Sequence, residues 1–137
     1  MDCKDLMVGD WFKSVDYNSP FRITAIYDDV VQTQADYQSE IDGNWYSEAE
    51  IKDLVPIKLT DEILVKNGFT YEEDTFLPDT GYWSLSNEDG LLYFTINAFG
   101  VKGSGEVAFG YQDIALKYVH QLQNLLVIAG VEKEIEL

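Results

Sequence analysis

Cysteine and histidine each occur once in this 137-residue chain, as Cys3 and His120. One cysteine excludes an intramolecular disulfide, and one histidine excludes the histidine-rich zinc sites. A mixed site from Cys3 and His120 would need two carboxylate ligands, and no spacing in the chain suggests such a set. No metal and no cofactor are expected. Cys3 reads as a free thiol near a loose terminus, with Lys4 the sole positive charge beside it to favour a thiolate.

Long apolar runs are also missing: none approaches the ~18–20 residues that span a bilayer. The opening MDCKDLMVGDWFKSV has acids where a signal peptide carries bases, and it lacks an apolar core. A soluble, cytoplasmic protein is expected. Bases are scarce, with 9 Lys and Arg against 25 Asp and Glu, giving a net charge of −16. DNA, RNA and anionic membrane surfaces would be repelled, so neither direct nucleic-acid binding nor membrane association is expected. The charge is spread evenly: residues 1–57 hold 12 acids and 4 bases, residues 58–137 hold 13 and 5, so each part carries −8. Two meanings remain open. One is a well-solvated surface; the other is a decoy whose acids imitate a phosphate backbone and occupy a DNA-binding protein.

Catalytic signatures are absent in the same way. There is no GxSxG elbow, no HExxH and no CxxC. His120 is the natural acid or base near neutral pH, yet no nucleophile or orienting group is recognisable around it, and a structural role is the plainer reading. The carboxylates Asp28-Asp29, Glu72-Glu73-Asp74 and Glu88-Asp89 cluster in turns rather than flanking a cleft, and none has calcium-loop spacing. Gly100, Gly103 and Gly105 evoke a phosphate loop, but GK[ST] is missing and a glutamate follows, so a hairpin or lid is expected. No catalytic residue is assigned. An enzyme using an acidic cleft is the least supported class.

What is present is enough apolar material for a core, 46% hydrophobic and 14% aromatic. Leu6, Val8, Trp11 and Phe12 around Gly9-Asp10 read as a turn feeding a strand, and Asn18-Ser19-Pro20 as a second turn. Alternation over 21–27 predicts a strand, Asp28-Asp29 marks a turn, and residues 30–37 can pair back as a third strand. Asp42-Gly43 is a strong hairpin signal leading to Trp45-Tyr46. Ser47 with Glu48 and Glu50 suggests a brief helical turn, and Leu54–Ile57 an extended exit. Short strands with turns every 8–12 residues suggest a small antiparallel barrel, and the LxVGDW pattern at residues 6–11 resembles the first strand of SH3-like barrels.

From Lys58 the pattern changes. Thr60 as N-cap, Asp61 and Glu62 in a first turn and Asn67-Gly68 as a stop predict a short helix over 61–67. Strands are expected from Phe69 to the acidic Glu72-Glu73-Asp74, at 82–85 and at 91–96, the last two joined across Asn87–Gly90. Apolar Ile114, Tyr118, Leu122, Leu125, Leu126 and Ala129 recur by three or four, which predicts a long helix near 113–129, about 25 Å in length. Asp113 is its expected N-cap, or an early acid facing the helix dipole, and Gly130 its left-handed stop. Lys117, His120, Gln121 and Asn124 fall on its polar face. Glu134–Leu137 alternates like a last short strand.

The resulting expectation is an α+β protein. Residues 1–57 form a small barrel-like, SH3-like part, and residues 58–137 form an antiparallel sheet backed by the long helix. With 57 and 80 residues, each part is marginal for an independent core, and the two are expected to pack together. Candidate partner contacts are His120, Gln121 and Asn124 on the helix, if they are not bonded internally, and Trp45 with Tyr46 after the hairpin turn.

Three stretches carry a further likeness: LxVGDW at 6–11, DGNWYSEAEIKDLVPIKLTDEILVKNGF at 42–69 and YVHQLQNLL at 118–126. Together they resemble a family of small proteins encoded in prophages and other mobile elements of gut Bacteroidetes. The resemblance implies a cytoplasmic accessory protein with no assigned enzymatic activity, and it supplies no catalytic residues. The function expected is therefore non-enzymatic, exercised by binding another protein.

Overall fold

The computed structural model describes residues 6–77, 79–86, 92–100 and 107–137. In chain order the elements are β1 (Trp11–Ser14), β2 (Tyr17–Tyr27), β3 (Val30–Gln38), β4 (Trp45–Glu50), a 3-10 turn (Ile51–Asp53), β5 (Leu54–Pro56), α1 (Asp61–Lys66), β6 (Thr70–Glu73), β7 (Thr80–Ser86), β8 (Leu92–Phe99), β9 (Ala108–Tyr111), β10 (Ile114–Leu116) and α2 (Val119–Ile128). The protein is α+β, built on two five-stranded antiparallel sheets. It divides into two compact units, Met1–Ile57 with Tyr118–Ile128 and Lys58–Lys117 with Ala129–Leu137. The first unit thus includes α2.

In the first unit the strand order is β4-β3-β2-β1-β5. β2 serves two ladders. Its first half pairs with β1 (Phe12↔Phe21, Ser14↔Tyr17) and its second half with β3 (Ile23↔Thr33, Tyr27↔Val30), with a register shift between Ile23 and Ala25. Such a shift bends a strand and lets it leave one ladder for the next. The turn expected at Asn18-Ser19-Pro20 is thus part of β2, and the chain reverses at Val15-Asp16 instead. Pro20 has no N–H for a ladder and lies where β2 pairs only with β1 among the described residues. No pairing among the described residues joins β4 to β5, so the closed barrel is not found and these two strands are the sheet's edges. Leu6, Phe12, Phe21, Ile23, Val31, Ala49, Ile51 and Leu54 form the buried cluster, with Tyr17 and Ile26 packed on it. Burying a side chain the size of Phe12 or Ile23 stabilises by about 1.5–3 kcal/mol.

Helix α2 is shorter than the periodicity suggested, and it starts at Val119. Gln112 takes a left-handed φ of 52°, and the chain folds back there so that Ile114, Ala115 and Leu116 pair with Tyr111, Gly110 and Phe109. Residues 113–117 therefore belong to a hairpin, which displaces the expected cap from Asp113. The helix opens at Tyr118, whose N–H donates to Gln121 Oε1 at 3.0 Å, the return arm of a capping box. Gly130, at φ 74°, follows the last turn. Val119, His120, Leu122, Leu125 and Leu126 are buried, and the helix packs on β1.

The second unit is a meander, β10-β9-β8-β7-β6. Trp83, Leu85, Phe94, Ile96, Ala98, Phe109 and Leu116 are its buried sheet residues. Thr60 caps α1 by accepting from Ile63 N at 3.4 Å, and Gly68 leaves it at φ 85°. Gly81 faces Tyr71: a Cβ there would stand 2.5 Å from the Glu72 carbonyl oxygen and 2.6 Å from the Tyr71 hydroxyl. Glu134–Leu137 makes no strand. The Asn67 amide takes that place, donating to Glu136 O at 2.9 Å and accepting from Glu136 N at 2.7 Å. One side chain thus reproduces a peptide pairing, and Ile135 is buried beside it. Cys3, the hairpin expected at 87–90, and Gly103 with Gly105 lie outside the described residues.

Candidate functional site

The β3–β4 hairpin of the first unit holds two of the expected contact residues, and its loop is tightly cross-bonded. Ser39 is buried, and its Oγ accepts from Ile41 N at 3.1 Å and Asp42 N at 3.3 Å. Ser39 N donates to Asn44 O at 2.8 Å, and Gly43 N to Ser39 O at 3.0 Å. Gly43 supplies the left-handed φ of 74° that the reversal requires. Asp42 accepts from Asn44 N at 2.9 Å through one oxygen and from the Tyr46 hydroxyl through the other. The Tyr46 bond, then the Asn44 bond, hold the Asp42 carboxyl below its usual range, and the same Asp42 contact raises the Tyr46 hydroxyl. Glu40 N donates to Asp16 O at 2.7 Å, tying the loop to the β1–β2 turn.

This loop holds apolar side chains in water. Ile41 is 76% exposed and Trp45 67%. Trp45 and Tyr46 do not form one patch, because successive strand residues point to opposite faces. Tyr46 lies opposite Tyr37 and joins a run of rings: Tyr37–Tyr46 centroids are 6.0 Å apart, Tyr17–Tyr37 4.8 Å and Phe21–Tyr37 5.8 Å. Burial, with the Asp16 carboxylate next, raises the Tyr37 hydroxyl. Trp45 lies opposite Gln38 on the other face; a register shift between Gln32 and Tyr37 breaks the alternation of β4 before Glu48, so Glu48 (opposite Gln32) and Glu50 (opposite Val30) fall on the face of Trp45 rather than that of Tyr46. Apart from Ala49, all of β4 is exposed, and among the described residues it pairs with β3 alone.

The helix residues expected to meet a partner are absorbed by the fold. His120 is 3% exposed, with its ring 4.7 Å from Phe12 and 5.9 Å from Tyr118, so it presents no surface. Gln121 serves the helix start, as above. Asn124 bonds the Asp10 carboxylate. Gln123, which periodicity gave no reason to single out, is the stronger tie: its Oε1 accepts from Trp11 N and its Nε2 donates to Gly9 O, both at 2.9 Å. Asp10 is buried, and desolvation pushes its carboxyl up to about 6 against the bonds from Met7 N and Asn124.

The described residues hold no cluster of His, Cys, Asp and Glu able to bind a metal. In the second unit a cavity of about 100 Å³ opens beside the first turn of α1, lined by Lys58, Asp61, Glu62 and Phe109 among others. That volume is well below the ~300–1,000 Å³ of a typical small-molecule site. No helix among the described residues is long and apolar enough to cross a membrane. The arrangement best equipped to do something is the hairpin: a rigid loop, exposed apolar side chains and an open sheet edge. Comparison with protein-family models, curated proteins and solved structures finds no match.

Proposed function

We propose that this is a non-enzymatic interaction protein that binds another protein through its β3–β4 hairpin. The observation that carries the reading is Trp45, 67% exposed at the start of β4, next to a loop whose backbone is tied by its own hydrogen bonds. A large aromatic held rigidly in water costs little further ordering when a partner covers it, which is the property of an interface anchor. Ile41 lies in the same loop. The resemblance of residues 6–11, 42–69 and 118–126 to mobile-element proteins supports an accessory role in the cytoplasm of a host cell. The two-ladder β2 and the 3-10 turn between β4 and β5 support an SH3-like kinship for the first unit.

The test is capture from a lysate of the source organism, at low and high salt, with the intact chain and with a Trp45→Ala/Ile41→Ala variant. Both side chains are exposed, so folding should be preserved, and circular dichroism checks it. A partner lost with the variant supports the reading. Turnover of any substrate in a broad panel would refute it. A partner that is retained by the variant, competes with DNA and falls away steeply with salt would favour the acidic decoy, for which the net charge of −16 is the motive.

A further inference from the structure

Resting on the hairpin reading, we propose that the occupant is an extended, basic segment of another protein that adds as a strand to the edge of β4, which has no ladder partner among the described residues. A sheet edge presents alternate N–H and C=O groups with no ladder partner, and an added strand satisfies them. β4 has the exposure this needs along five of its six residues. The chemistry of the occupant follows from the outward face. Glu48 and Glu50 share that face with Trp45, so a segment alongside meets an apolar anchor at one end and two carboxylates at the other. Opposite charges across a strand pair attract and like charges repel. Lys52 is the nearby base, 3.0 Å from Glu50 and largely exposed, and it leaves Glu48 for a visitor.

A second copy of this chain fits poorly. Two-fold pairing of β4 with itself would bring Glu48 and Glu50 within a few positions of their own mates, between two molecules that each carry −16. The acids thus act as guards against self-pairing while admitting a segment with Lys or Arg at every second position.

Three capped nine-residue peptides test this: alternating Lys–Thr, alternating Glu–Thr, and the Lys–Thr peptide with every backbone nitrogen methylated, which keeps the positive charge but has no N–H to donate to a ladder. Binding is followed by amide shifts and amide exchange of the intact protein. The Lys–Thr peptide should bind at least tenfold more tightly than the other two and should protect alternate amides within 45–50. The Glu48→Lys/Glu50→Lys variant should reverse the preference to Glu–Thr. Equal binding of Lys–Thr and its N-methylated form, or shifts that avoid β4, would overturn strand addition. Self-association in sedimentation with protection of β4 would overturn it in favour of a second copy. If a captured partner depends on Trp45 and Ile41 while β4 amides stay unprotected, the interaction reading stands and strand addition fails. If capture does not depend on the hairpin and the peptides leave β4 unprotected, both fail.

Discussion

Asp10 should make the protein less stable as the pH rises from about 4 through about 6. Its carboxyl is 2% exposed, receives hydrogen bonds from Met7 N at 2.9 Å and from Asn124, and is nevertheless raised from 3.8 to about 6, because loss of water outweighs both bonds. A folded-state value above the unfolded one means that the native protein binds the proton more tightly. The protonated acid therefore favours folding fully below about pH 3.8, and the benefit is lost as the pH climbs through about 6. The rise from 3.8 to about 6 bounds the effect at about 3 kcal/mol. Between pH 8 and pH 5, clear of most other carboxylates, this one group should add about 1.4 kcal/mol.

The assay is urea unfolding, followed by tryptophan fluorescence, of the wild type and Asp10→Asn at pH 5, 6, 7 and 8. An asparagine oxygen can still accept from Met7 N, so the variant removes the charge and keeps that contact. His120 is common to both proteins and cancels in the difference. At a slope of about 1.5 kcal/mol per molar, the wild-type midpoint should gain close to 1 M relative to the variant on going from pH 8 to pH 5. Above pH 7 the variant should be the more stable protein. Parallel profiles, or a variant that is weaker at pH 8, would refute the claim that desolvation dominates at this carboxylate.

Three further perturbations probe single contacts. Gln123→Leu strips the partners from Trp11 N and one partner from Gly9 O, and should cost about 2–3 kcal/mol in urea unfolding; Gln123→Glu, which keeps the acceptor, should cost roughly half. Gly81→Ala forces a carbon to within 2.5 Å of the Glu72 carbonyl oxygen and should destabilise by about 1–3 kcal/mol. Tyr71→Phe should not rescue it, since the backbone oxygen remains, and a thermal melt of the pair decides. Asn67→Ala removes both bonds to Glu136 and should speed exchange of the Glu136 amide at least tenfold, with Ile135 amide exchange rising beside it; unchanged exchange would show that burial of Ile135 alone holds the segment.

Local chemistry carried most of the strands and the short helix. Asp42-Gly43 turns where its residues demand it, Thr60 caps α1, and the strands expected at 21–27 and 30–37 lie within β2 and β3. The misreadings share a cause: each depended on a partner distant in sequence. Ile114 and Tyr118 have helical spacing, but pairing with β9 claimed residues 114–116, and the turn that permits it uses Gln112, which carries no turn signature. His120 counted as polar, whereas its ring lies on Phe12, contributed by a strand over a hundred residues earlier. Glu134–Leu137 had strand alternation and found an asparagine side chain instead of a strand.

The same distinction explains why the candidate site was half legible. Trp45 and Tyr46 follow directly from a turn signal and two large rings, so their neighbourhood could be marked from sequence. Their separation could not: it follows from pairing with β3, which sets Tyr46 opposite Tyr37 and Trp45 opposite Gln38. Once they are separated, their roles diverge. Tyr46 completes a ring cluster and is tethered to Asp42, so it belongs to the hairpin's own stability. Trp45 makes no comparable ring contact among the described residues and stands 67% exposed beside Glu48 and Glu50. An aromatic that adds little to its own fold, held on an edge whose charges discourage self-pairing, is better explained by a visitor than by the core. Trp45→Ala should therefore leave the unfolding free energy within about 0.5 kcal/mol of the wild type, while Tyr46→Phe, which loses the Asp42 bond, should cost more. If the order is reversed, Trp45 is structural and the hairpin loses its claim to be the interface.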